Sequence, residues 1–168
     1  IDNCHPVFMM MRFSLLKILT LTLSFMCCTA TWASEIDSII AGEQAPAGVV
    51  FEIVSDEDDL LAELLPSVKA DIERLRRRFP GLPIAIVSHG KELFALTSKN
   101  RSSEIQAHDL VKTLVQSEDV DVHVCGTHAG WYGVSQEDFP DYVDVTAAAP
   151  TQIDDYEAIG YELIVLTD

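Results

Sequence analysis

The 168 residues carry 27 acidic side chains against 11 basic ones, a formal net charge of −16 at pH 7. So anionic a surface repels phosphate backbones and acidic headgroups, and no basic stripe offsets it. Nucleic acid and a charged membrane surface are therefore excluded as expected partners. With 48% apolar residues, the chain has material for a single domain with its own core.

Residues 1 to 8 read as sequence upstream of a start at Met9, Met10 or Met11. Arg12 and Lys17 then form a short basic region, residues 18 to 28 are apolar or hydroxylic, and Thr31-Trp32-Ala33 sets a small residue before a cut. That order is the order of a secretory signal peptide, with cleavage expected after Ala33 and a periplasmic or secreted product. The apolar run falls short of the roughly 20 residues of a membrane-spanning helix, so no stable insertion is expected after cleavage. A retained anchor is the alternative. Phe25-Met26 ahead of Cys27 lacks the small residues that lipoprotein processing prefers. Loss of Asp2, Arg12 and Lys17 would leave the remainder one unit more negative.

Residues 34 to 48 are polar, contain Gly and Pro, and read as a linker, so the domain is expected over 49 to 168. Val49 to Val54 is a β-rich apolar run that fits a buried first strand. Asp56 to Asp59 lacks calcium-loop spacing and reads as the solvated start of a helix. From 60 to 79, Leu61, Leu64, Leu65, Val68, Ile72, Leu75 and Phe79 recur at spacings of three and four, which predicts an amphipathic helix. Pro66 is a kink or restart within it, and Pro80-Gly81 ends it. The Arg76-Arg77-Arg78 triplet falls in its last turn, where it complements the helix dipole.

A second strand follows at 82 to 88. Residues 92 to 97 are ambiguous between strand and helix, and 99 to 103 are polar loop. Residues 104 to 116 show helical spacing again, 120 to 125 a third strand, and 128 to 139 a helix or helical loop. A fourth strand is expected at 143 to 148, a short helix at 150 to 159, and a terminal strand at 163 to 166. Strands alternating with helices imply crossovers, hence a mostly parallel sheet of five strands covered on both faces.

The chemistry concentrates on Cys125. Three of the four cysteines (Cys4, Cys27 and Cys28) lie in the leader, so Cys125 is the sole thiol of the expected mature chain. An unpaired exported cysteine points to a reactive sulfur or an intermolecular bond. It ends Val122-His123-Val124-Cys125 and precedes Gly126-Thr127-His128, and two histidines and a helix start favour a thiolate. In open parallel sheets ligands sit at the carboxyl ends of the strands. Ser88-His89-Gly90, Cys125-Gly126-Thr127-His128 and Ala149-Pro150-Thr151 all fall there, with Gly126 and Gly130 allowing close backbone approach. The candidate reactive set is therefore Cys125, His128 and His123, and the candidate ligand set His89, Gly126, Thr127, Pro150 and Thr151. The alternative is that Cys125 is a small buried hydrophobe. His123, Cys125 and His128 also raise a metal-ligand reading, but a closed zinc site wants four ligands and only His89 is a further nitrogen donor. No metal and no other cofactor is expected. No Gly-x-Ser-x-Gly elbow or phosphate-binding glycine loop is present.

The segment 120 to 133, Val-Asp-Val-His-Val-Cys-Gly-Thr-His-Ala-Gly-Trp-Tyr-Gly, resembles the strand-Cys-helix signature of the DsrE/DsrF-like sulfur-relay family. The order downstream is similar to that family's C-terminal half: strand, small residues with Pro150, short helix, Gly160-Tyr161 and final strand. The resemblance implies a three-layer α/β fold of the DsrE/F type and assembly as trimers or hexamers. It also implies a cysteine at position 125 that accepts sulfane sulfur as a persulfide and passes it to a thiol or sulfur-donor partner. Not every member keeps that cysteine. This chain departs from the pattern in its expected export and in Trp131-Tyr132, where a basic residue often stands before Gly133. An exported sulfur carrier is the reading that results. The alternatives are a non-catalytic oligomeric binding module of the same fold, with Cys125 structural, and a His/Cys protein that binds a metal or a thiol ligand.

Overall fold

The computed structural model describes residues 31 to 167. The basic pair, the apolar run and the other three cysteines lie outside the described residues. Five strands form one sheet: β1 (Gly48–Val54), β2 (Ile84–Ser88), β3 (Val120–Cys125), β4 (Asp144–Thr146) and β5 (Tyr161–Thr167). Their order across the sheet is β4-β3-β2-β1-β5, and every adjacent pair is parallel. Five helices accompany them: α1 (Thr31–Ala41), α2 (Leu60–Arg78), α3 (Ile105–Glu118), α4 (Gly126–Trp131) and α5 (Ala149–Ala158).

The chain steps from β1 to β4 in one direction and returns past β1 to β5. Crossovers of one hand therefore put α2 and α3 on one face and α5 on the other. Helix α1 packs beside α2, and α5 touches β1, β2, β3 and β5. The two faces differ in content. Val49, Phe51, Ile53, Ile84, Ile86, Val120, Val122 and Val124 are buried and alternate toward the α2 face. The α5 face carries Ala85, Val87, Glu52, Asp121 and His123, a smaller and more polar set.

The structure corrects the linker expectation and resolves two open readings. Residues 34 to 48, read as linker, contain most of α1, and the cut expected after Ala33 falls in that helix's first turn. Ile36 is fully buried, with Ile39 and Ile40 packed on the core beside it. Arg78 fastens this helix by donating to the carbonyls of Ile40 and Gly42. The ambiguous run becomes a 3₁₀ helix, Lys91–Leu96. Helix α2 runs on through Pro66 instead of restarting there. Arg76 donates to the carbonyls of Leu82, Glu118 and Asp119, so the arginine triplet holds a neighbouring helix end as well as complementing its own.

Glu92 knots the carboxyl ends of β1 and β2 together. It is fully buried, with one carboxylate oxygen accepting from Ser88 Oγ (2.7 Å) and Gly90 N (2.9 Å) and the other from Ser55 N (2.8 Å). A Cβ on Gly90 would lie 2.2 Å from the Ser55 carbonyl oxygen, so only glycine fits beside this knot. Farther along the same segment, buried His108 of α3 bonds the Ala95 carbonyl through Nε2 (3.0 Å) and Tyr142 Oη through Nδ1 (2.5 Å). The carbonyl accepts only, so Nε2 carries the proton and Nδ1 accepts from the phenol.

Two outcomes follow for stability. Glu92→Ala leaves three buried donors without an acceptor, at about 1–3 kcal/mol each. Its urea midpoint is expected to fall by far more than that of Glu92→Gln, which keeps one oxygen. Burial holds the imidazoles of His108 and His123 below their ordinary values. The folded state then binds these protons less tightly than the unfolded chain. Stability is full above about pH 6.5, declines as pH falls below it, and levels off under the folded pKa values. Denaturation midpoints between pH 7.5 and 5 should show this decline, and His108→Leu should flatten it.

Candidate functional site

Cys125 closes β3 at the carboxyl edge of the sheet, with the strand's last pairing to Thr146 of β4. It is the N-cap of α4, and its Sγ accepts the backbone N–H of His128 at 3.4 Å. It is 5% exposed and is the free cysteine among the described residues. Gly126 follows because a Cβ there would stand 3.0 Å from the Thr146 carbonyl oxygen and 3.1 Å from Val145 Cγ1. Thr127 binds back to the next loop, its N–H and its hydroxyl both donating to the Ala147 carbonyl (3.2 and 2.6 Å). These two bonds tie the start of α4 to the segment after β4.

The three histidines fall into three environments. His128 meets the sulfur through its backbone alone. Its ring lies among Phe94, Trp131 and Tyr132, with centroids at 6.0, 5.5 and 5.3 Å, and its buried Nε2 has no hydrogen-bond partner among the described residues. Trp131 is 75% exposed and Tyr132 55%, so this aromatic group forms a rim on the surface beside the cysteine. His123 turns to α5, with Nε2 at 2.9 Å from Tyr156 Oη. Burial pushes the Tyr156 phenol up to about 12, so this contact joins a neutral phenol to an imidazole whose charged form is disfavoured. His89 turns to β1, with Nε2 at 2.6 Å from Glu52 Oε1. Pro150 and Thr151 are exposed in the first turn of α5 and make no hydrogen bond to Cys125.

The structure thus brings the candidate residues to one edge of the sheet but gives them separate duties. Among the described residues, no group of three or more His, Cys, Asp or Glu side chains is placed to hold a metal ion. None of their helices is long and apolar enough to cross a membrane. The sequence reading passed over Glu52 and Phe94. Glu52 is the lone acid in an otherwise apolar strand, a signal that a charge there needs a partner.

Comparison with known proteins agrees with this architecture. No match is found among curated proteins. A protein of unknown function from Methanobacterium thermoautotrophicum, MTH1491, superposes with a TM-score of 0.53 at 19% identity, over 70% of this chain and 97% of its own. The ychN protein from E. coli superposes with a TM-score of 0.55 at 14% identity, over 71% of this chain and 99% of its own. Both likenesses are of fold. The family model described as "DsrE/DsrF-like family" matches residues 59–166, a span that takes in β2 to β5 and the whole edge around Cys125, and the chain belongs to that family.

Proposed function

We propose that this protein is an exported carrier that handles sulfane sulfur as a persulfide on Cys125. The observation that supports it best is the placement of that thiol. It stands at the carboxyl end of a parallel strand, where such folds bind ligands, and a backbone N–H is already directed at its sulfur. Family membership supplies the sulfur-relay context. The same N–H donates to a thiolate or to the inner sulfur of a persulfide. Loading requires the thiolate to attack the outer sulfur of a donor persulfide. One S–S bond forms as the donor's breaks, and the donor leaves as a thiolate.

A binding module that uses Cys125 only for packing is favoured by one observation, its near-complete burial. Intact-mass measurement of protein from an export-competent host separates the two. After polysulfide treatment, the wild type should gain one sulfur atom that reductant removes, and Cys125→Ser should gain none. The mass of the untreated chain reports on export as well, since a product beginning near Ser34 lacks Lys17. Absence of uptake would leave the binding module standing.

Self-association into a trimer or a multiple of it belongs to the same proposal. Ile159 beyond α5, Val165 on β5 and Trp131 in α4 are large, apolar and exposed, which gives subunits apolar surface to bury. The net charge opposes close approach, so assembly should tighten as salt screens it. Sedimentation at tens of micromolar is expected to show a trimer that is firmer at 0.5 M than at 0.05 M salt. A monomer throughout would count against it.

A further inference from the structure

The Glu52–His89 pair has no part in the role just described, yet the sheet places it beside Cys125. Ser88, the last residue of β2, pairs with Val124, and continuing that register by one residue sets His89 opposite Cys125. Strands lie about 4.8 Å apart, so that register brings the two backbone positions side by side, with His89 now bonded to Glu52 and the sulfur to the His128 N–H. Glu52 is in register with Val87, and Val87 with His123. Alternation then puts Glu52, His89 and Cys125 on one face, in order across β1, β2 and β3. The pair is sheltered, its side chains 20% and 19% exposed, and its 2.6 Å contact is short. A carboxylate at Nε2 fixes the proton of a neutral imidazole on that nitrogen and leaves Nδ1 as the basic one.

We propose that His89 is the proton acceptor for the Cys125 thiol and that Glu52 is its positioning residue, a thiol–imidazole–carboxylate row across three strands. The inference rests on the persulfide reading and names the group that manages its protons. The Sγ proton passes to Nδ1 of His89, and the thiolate attacks the outer sulfur of the donor persulfide. The imidazolium returns its proton to the departing donor thiolate. No oxidant or reductant is consumed. The other two histidines are less suited to this role. His123 is engaged with Tyr156, and His128 reaches the sulfur through its backbone. Glu52 on β1 contacts His89 directly, and the titratable groups on the elements flanking it are His123 and Cys125 on β3, Tyr156 on α5, Lys91 and Glu92 in the following segment, and Asp56, which pairs with Lys91.

The test is the pH dependence of Cys125 alkylation by iodoacetamide in the folded full chain. His89→Gln should slow the reaction about tenfold or more at pH 7 and approach the wild-type rate at pH 10, where the thiol ionises unaided. Glu52→Gln should produce a smaller loss in the same pH range. A loss of equal factor at every pH, or a pH 7 rate within twofold of wild type, overturns the assignment. A pH 7 loss in His128→Ala with none in His89→Gln transfers the role to His128. Should the variants fail to fold, ¹⁵N imidazole shifts decide on wild-type protein. Capping Cys125 with iodoacetamide should move the His89 titration, and an unmoved titration refutes the coupling. Sulfur uptake is scored separately by mass. Wild type that takes up no sulfur sinks the carrier reading, while the alkylation profile still decides whether thiol and imidazole are coupled.

Discussion

The Glu92 carboxylate is the constraint on which this edge of the molecule depends. Parallel strands end with backbone groups that the next element must satisfy, and in a buried edge each unmet donor is costly. Here one side chain accepts from the backbone of Ser55 after β1, from the hydroxyl ending β2 and from the backbone of Gly90. It thereby fixes the spacing of two strand ends and the path of the turn between them. His89 lies on one side of this knot and Phe94, whose ring borders His128, on the other. Both flanks of the Cys125 neighbourhood therefore take their position from a residue that does not touch the sulfur.

The remaining architecture divides labour between two faces. Large aliphatic side chains fill most of the α2 and α3 side, with buried His108 as a hydrogen-bonded exception. The α5 side also admits imidazoles, a carboxylate and phenols, with His123 paired to Tyr156 and His89 to Glu52. The acidic composition is handled in part by arginines that act as staples, with Arg74 bound to Asp71 and Asp37.

Much of this could be read from residues alone, for definite reasons. Periodicity of three and four in α2, and apolar runs bounded by turns, are local signals, and they yield the alternating order and hence the parallel sheet. Cys125 at a strand end is local too. Helix α1 escaped notice because Gly, Pro and polar residues dominate residues 34 to 48, although Ile36, Ile39 and Ile40 do show the spacing. Glu92 sits in a six-residue run too short for any period, and no property of a glutamate reveals that three donors will surround it. The pairing of Glu52 with His89 depends on which strands are neighbours, a fact of topology. His128 shows the same limit at finer grain: its amide meets the sulfur while its ring turns to the aromatic rim, and sequence proximity does not distinguish the two.

The unequal lengths of the outer strands carry a further consequence. β4 offers three residues at one margin of the sheet and β5 seven at the other. Joining the margin of one copy to the opposite margin of the next would secure only a three-residue ladder, too little to propagate an endless ribbon. Head-to-tail growth by sheet continuation is thus self-limiting. In an acidic chain, that leaves the β4 margin a poor template for fibres.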